Sequence, residues 1–374
     1  MYSVYQHWDP LRVCVVGQSY PPEFYSWITV PRVRELFERI ATETEEDYQS
    51  LIKVLKRFNV DVIRPTIATR EESWVNNGYL VPPMQPRNHL AMIGNTLHQN
   101  IVAPWQDFYS AVADPSWPDL PFDKLPSSIQ QECIAHGYRD LERRNQPWEA
   151  ILENCRPHVA NIEFANDMSE IINGAMVTRI GRDLYFSTEN YNQDITELQY
   201  KIDSKFPDTR NHIINTGGHG DGVYCPVAPG LIISTHDVNN YDDSFPGWEV
   251  IRVPNTNWNR IRNWMDLANQ NRGRWWIPGH ETDQDVIDTV ENWMSHWTGY
   301  VEETVFDVNM LIIDPKNVIV GMENDTVFKA LDRYGITPHV VEFRHRWFWD
   351  GGIHCMTSDL HREGSQQDFF SGCR

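Results

Sequence analysis

No two of the six cysteines, Cys14, Cys133, Cys155, Cys225, Cys355 and Cys373, are spaced as C-x-x-C. That argues against zinc ribbons and thioredoxin-type redox motifs. A six-cysteine disulfide framework belongs to much shorter secreted chains. No apolar run approaches the length of a membrane span. Residues 1–10 contain neither a basic n-region nor an apolar h-region, so a soluble, cytoplasmic protein is expected. No G-x-G-x-x-G follows a strand and opens a helix, which leaves no dinucleotide site, and no cofactor is expected. Basic residues are outnumbered: 32 Lys plus Arg face 52 Asp plus Glu, a net charge of −20. A field of that sign repels phosphate backbones and anionic membranes, so neither is expected as a partner, whereas a cationic small molecule is drawn in.

What is present is enough for a large core. The chain has 374 residues, of which 41% are apolar. Residues 11–17 read as a buried strand ending in a glycine turn, and residues 31–59 as an amphipathic helix with Leu36, Ile40, Leu51, Leu55 and Phe58 on one face. Strand–turn–strand pairs follow at 89–102, 175–187, 223–234 and 310–321. Residues 326–334 read as a helix closed by Gly335, and 60–65 and 337–343 as single strands. Hairpins, rather than helical crossovers, join so many strand pairs that a doubly wound sheet is disfavoured. The expectation is α/β units repeated around one centre, in a single domain over 1–374. Residues 113–157, rich in X-Pro pairs, read as an inserted loop region with short helices.

Two stretches carry chemistry. Residues 347–360 read WFWDGGIHCMTSDL. The glycine pair lets the backbone turn close to a ligand, and Cys355 follows as a candidate nucleophile. The plainer alternative is a buried structural cysteine. The aromatics 347–349 read as packing or as a lid. The second stretch is Gly217-Gly218-His219-Gly220-Asp221-Gly222. His219 offers a base for the thiol, and Asp221, two residues on, points to the same side if the segment is extended. The alternative for His219 is a surface-loop histidine. His219, Asp221, His354 and Cys355 taken together as metal ligands match no common zinc spacing, and no metal is expected.

Several ordered motifs resemble the amidinotransferase family, which includes the glycine and inosamine-phosphate amidinotransferases. His7-Trp8-Asp9-Pro10-Leu11 with the following strand resembles its WDPL opening. Pro86-Arg87-Asn88 stands where the family has P-R-D. Arg179-Ile180-Gly181-Arg182-Asp183 resembles R-x-G-[RK]-D, and His219-Gly220-Asp221 resembles H-I-D. Residues 353–359, IHCMTSD, resemble F-H-C-W-T-C-D. The match runs over most of the chain.

The resemblance implies a pentein fold, an α/β propeller with pseudo-fivefold symmetry, and a homodimer as a recurrent assembly. It implies that the Cys355 thiolate attacks the guanidinium carbon of a guanidino donor, commonly arginine, and hands the amidino group to an amine acceptor. His219 would move the protons, and Asp221, Asn88, Asp307 and Arg87 would hold substrate. A hydrolase with the same nucleophile, related to the deiminases, and a guanidino-binding protein without turnover are the alternatives. Two positions depart from the family. Its acidic partner of the histidine falls on Asn173, which can orient an imidazole but cannot stabilise its cation by charge. The P-R-D aspartate falls on Asn88. Asp307 and Glu170 are the candidates to restore a carboxylate.

Overall fold

The computed structural model describes residues 1–75, 78–100, 112–118, 120, 122–136, 138–165, 168, 171–188, 195–235, 241–253, 277–294, 297 and 306–371. Within them the chain is α/β, with five three-stranded sheets and one two-stranded hairpin.

The five sheets share one plan. Each has a central strand paired antiparallel on one side and parallel on the other. Leu90–Ile93, Thr96–Gln99 and Asn161–Phe164 form one such sheet. Val177–Ile180, Asp183–Thr188 and Arg210–Asn215 form the next. Tyr224–Ala228, Leu231–Ser234 and Glu249–Arg252 follow, then Leu311–Asp314, Asn317–Val320 and Thr337–Val340. In these four sheets the antiparallel pair is a hairpin, and its tight turn explains why glycine recurs there: Gly181 and Gly230 adopt φ of +64° and +87°. The third strand runs parallel, so a crossover must precede it. Helices Tyr138–Cys155, Ile195–Lys205 and Asp325–Arg333 occupy three of those crossovers.

The fifth sheet joins the ends of the chain. Leu11–Val16 pairs antiparallel with Thr357–Arg362 and parallel with Asp61–Ile63. Its crossover is the helix Pro31–Arg57, which starts on a proline and is followed, past its C-cap Phe58, by Asn59 at φ +56°. Val33, Phe37, Ile40, Tyr48, Leu51 and Leu55 recur at helical spacing and are buried. Two polar side chains on that buried face reach residues 347–360: the Thr44 hydroxyl accepts from Trp349 Nε1 at 2.9 Å, and Tyr48 Oη donates to Met356 Sδ at 3.0 Å.

Residues 113–157, read as an inserted loop region with short helices, contain the helices Ser127–Ala135 and Tyr138–Cys155. Trp148, Ile151 and Cys155 pack in one buried cluster with Val13, Val15, Leu90 and Leu97. At the centre of the molecule Asp359 is fully buried and receives Arg87 Nη1 at 2.7 Å, Arg179 Nη2 at 3.0 Å and Arg362 Nε at 2.6 Å. Burial opposes ionisation of Asp359, but the three guanidinium groups hold its carboxyl well below the usual range. No described helix is long and apolar enough to cross a membrane.

Candidate active site

The repeated plan places the chemistry. In every unit the loop entering the first strand of the antiparallel pair carries a polar residue within a few positions of that strand. Asn88 precedes Leu90–Ile93, Asn173 precedes Val177–Ile180, and Asp221 precedes Tyr224–Ala228. Asn309 precedes Leu311–Asp314, and Cys355 precedes Thr357–Arg362.

Hydrogen bonds join these five loops in a closed ring. Gly174 N donates to the Arg87 carbonyl at 2.9 Å, and Asp221 N to the Ala175 carbonyl at 3.2 Å. Asn309 Nδ2 donates to the Asp221 carbonyl at 3.1 Å, and Asn309 Oδ1 accepts from His354 N at 2.9 Å. Arg87 Nε closes the ring on the carbonyls of His354 and Thr357 at 3.0 and 2.8 Å. Glycine is required where these loops touch. A Cβ on Gly352 would lie 2.6 Å from Asn309 Oδ1, and one on Gly351 would lie 2.8 Å from Met356 Cε. Asp350, just before them, turns the chain in the left-handed region at φ +46°.

Cys355 is buried, and three side chains define its surroundings. Asn309 Nδ2 donates to its Sγ at 3.0 Å. The thiol in turn donates to Asp221 Oδ2, 3.6 Å away. The same Oδ2 receives His354 Nδ1 at 2.7 Å. A carboxylate only accepts, so the His354 proton sits on Nδ1. Asp221 Oδ1 is buried and finds no hydrogen-bond donor among the described residues.

The protonation states follow from burial. Burial pushes the His354 imidazole down to about 4, aided by the Arg87 guanidinium and opposed by Asp221. Burial raises the Asp221 carboxyl, but the His354 hydrogen bond and the fields of His354, His219 and Arg87 outweigh it, and the net shift is downward. The Cys355 thiol is pushed well above its ordinary value by burial and by the Asp221 charge. The resting state at neutral pH is therefore a neutral thiol and a neutral His354 beside an ionised Asp221.

The residues singled out from sequence take different places. His219 is half-buried and begins the 3-10 turn Gly220–Gly222. Its side chain makes no hydrogen bond among the described residues; the histidine bonded to Asp221 is His354. Asn173 is buried, and its Oδ1 accepts from the N–H groups of Ala175 and Met176 at 3.0 and 3.1 Å. Asn88 Nδ2 donates to Gln85 Oε1 at 2.8 Å, while its Oδ1 is buried without a donor among the described residues. Gln85 Nε2 reaches the carbonyls of Trp349 and Asp350 and so ties this loop to the glycine pair. Asp307 is buried, and its Oδ1 accepts from Asn324 Nδ2 at 3.1 Å. Burial raises its carboxyl, with partial compensation from Asn324 and Arg346.

Arg87 is fully buried; its Nε and Nη1 bond the His354 and Thr357 carbonyls and Asp359, against the turn that carries Cys355, and its Nη2 is buried without a partner among the described residues. Glu170 lies outside the described residues. The aromatics before Cys355 pack: Phe348 and Trp349 are buried, and Trp349 stacks on Trp297 with centroids 6.0 Å apart. Among the described residues no group of three or more His, Cys, Asp or Glu side chains is placed to hold a metal ion.

Sequence reasoning missed Asn309 altogether and weighed His354 only as a metal ligand. The signal for Asn309 was faint, a single carboxamide just ahead of an apolar strand.

No protein-family model matches the chain. In sequence it is similar to inosamine-phosphate amidinotransferase 1 of Streptomyces glaucescens, 22% identical over 98% of both chains. It is also similar to the mitochondrial glycine amidinotransferase of Xenopus tropicalis, 21% identical over 98% of this chain and 84% of the other. Its fold is similar to that of inosamine-phosphate amidinotransferase from Streptomyces griseus, with a TM-score of 0.57, 17% identity and 99% of each chain covered.

Proposed function

We propose that the chain is an amidinotransferase, as its similarity to members of that family over most of its length supports, and that it moves an amidino group from L-arginine to an amine acceptor through a covalent amidino-Cys355. The observation that carries this reading is the state of Asp221. One carboxylate oxygen serves His354 and the thiol, and the other is buried beside them without a donor among the described residues. A guanidinium N–H fits that second oxygen as a charge-assisted hydrogen bond.

The donor's charge also answers the raised thiol. A cation about 4 Å from sulfur favours the thiolate by roughly 4 kcal/mol at an effective dielectric constant near 20. His219 takes the thiol proton. The thiolate then attacks the guanidinium carbon, an Sγ–C bond forms, and the C–N bond to the ornithine amine breaks as His219 returns the proton to that nitrogen. Ornithine leaves and the acceptor amine enters. Its lone pair attacks the amidino carbon, its proton passes to His219, and the Sγ–C bond breaks to release the thiolate.

Asn173 has a neutral orienting role toward His219, where relatives place an acid. Asn88 Oδ1 is a second, uncharged acceptor for the donor, and Asp307 supplies a further carboxylate. The five repeated units stand about a pseudo-fivefold axis in the manner of a pentein propeller; the common strand plan and the closed hydrogen-bond ring support this.

The test is ornithine release from arginine with and without glycine or hydroxylamine, alongside ammonia detection. Ornithine that rises with the amine supports amidino transfer. Ammonia and citrulline without amine dependence point to the hydrolase, with water in place of the acceptor. Neither product would overturn the arginine reading.

A further inference from the structure

Asn309 joins the Asp221 loop to the Cys355 loop, and its side chain is completely buried. Its orientation is fixed by chemistry. The N–H groups of His354 and Cys355 both face one end of the carboxamide, at 2.9 and 3.1 Å, so that end is the oxygen. The nitrogen therefore faces the Asp221 carbonyl at 3.1 Å and Cys355 Sγ at 3.0 Å. Among the described residues it is the one side chain that donates to this sulfur. Gly352 allows the approach, since a Cβ there would lie within 2.9 Å of Asn309 Oδ1, Cβ and Cγ.

Resting on the reading of Cys355 as nucleophile, we infer that Asn309 is a further catalytic residue. Its Nδ2–H donates to the sulfur and stabilises the thiolate both before attack and when the amidino–sulfur bond breaks. The need is physical. The sulfur is buried and an ionised carboxylate lies 3.6 Å away, and both oppose a thiolate. A donor held by two backbone N–H groups does not reorganise as the charge appears, which is the property that makes a preorganised dipole effective. The same amide anchors the Cys355 backbone, so donor and sulfur move together.

The test is Asn309→Asp in the full chain. It preserves shape and the acceptor for both backbone N–H groups, and it replaces the donor facing sulfur with a carboxylate oxygen. The readout is the pH profile of Cys355 alkylation by iodoacetamide, localised by peptide mass spectrometry, which needs no substrate. A hydrogen bond to an ion shifts such a profile by about one to two pH units. The profile should therefore move up by at least about one unit, with a matching tenfold loss of rate at fixed pH below it. An unmoved profile in a folded variant overturns the inference.

Should that variant not fold, the wild-type chain decides. The Asn309 side-chain amide resonance should titrate with the alkylation profile and lose that titration in Cys355→Ala. A flat resonance across the Cys355 titration overturns the inference equally. Failure of ornithine release with a displaced alkylation profile would reject the reaction and leave the Asn309 hydrogen bond standing.

Discussion

His354 Nδ1 lies 2.7 Å from Asp221 Oδ2, and both side chains are buried. The pair comes from loops 133 positions apart. Asp221 stays ionised in this buried site, and among the described residues its other oxygen has no donor. Asp221→Asn keeps the volume and removes the charge. Loss of a preorganised electrostatic partner of this kind costs about 10²–10³ in turnover. Steady-state ornithine release should fall by at least that range. A loss below about tenfold would remove Asp221 from the donor site.

Gly352→Ala tests the close approach of the glycine turn to Asn309. The added Cβ would meet Asn309 Oδ1 at 2.6 Å and its Cβ at 2.8 Å. Overpacking of this kind costs about 1–3 kcal/mol, so the urea midpoint should drop accordingly. Alkylation of Cys355 should change in the same variant, because the amide that contacts sulfur must shift. Unchanged stability together with unchanged alkylation would contradict the packing described for this turn.

Arg87→Met tests the buried cation beneath Cys355. Breaking a buried, hydrogen-bonded ion pair from one side costs about 3–5 kcal/mol. Equilibrium denaturation should show a loss of that size, and Asp359→Asn should show a similar one. A change within about 0.5 kcal/mol, as expected for a surface residue, would refute the supporting role.

Stability should fall on mild acidification. Burial pushes His89, His98 and His354 each down to about 4. In the unfolded chain a histidine titrates near 6.5, so the unfolded state binds more protons between the two values. Stability is therefore complete above about pH 6.5 and is lost progressively toward pH 4, by roughly 3 kcal/mol for each histidine. Calorimetry at pH 7.5, 6 and 5 should show a falling Tm, with a shallower slope in His89→Gln. A Tm that rises over this range would contradict the burial of these side chains as neutral imidazoles.

The sequence was readable where structure is local. The pairs Val177–Ile180 with Asp183–Thr188 and Leu311–Asp314 with Asn317–Val320 are short, mostly buried runs on either side of a glycine or proline turn, so both strands and the turn were visible. The helix Pro31–Arg57 showed its stripe. The parallel strands Asn161–Phe164, Arg210–Asn215 and Glu249–Arg252 were not visible. They are short and largely half-buried, with little alternation, and their pairing depends on a crossover. Cys355 and Asp221 were singled out because glycine turns lie in or just before their segments, and the structure places their side chains 3.6 Å apart. Asn309 was not, because its role exists only through contact with a sulfur 46 positions away. The bonds of Arg87 to the His354 and Thr357 carbonyls and Asp359 were not legible, because a motif position does not reveal which way a guanidinium points.

The central claim is that Cys355 carries the amidino group. The most direct measurement is the mass of the protein after mixing with arginine and rapid acid quench, without acceptor, followed by peptide mapping. One amidino group on the peptide that contains Cys355 is predicted, absent in Cys355→Ala and discharged when an amine is added before the quench. Ornithine release with an unmodified Cys355 peptide, or release that persists in Cys355→Ala, would contradict the account.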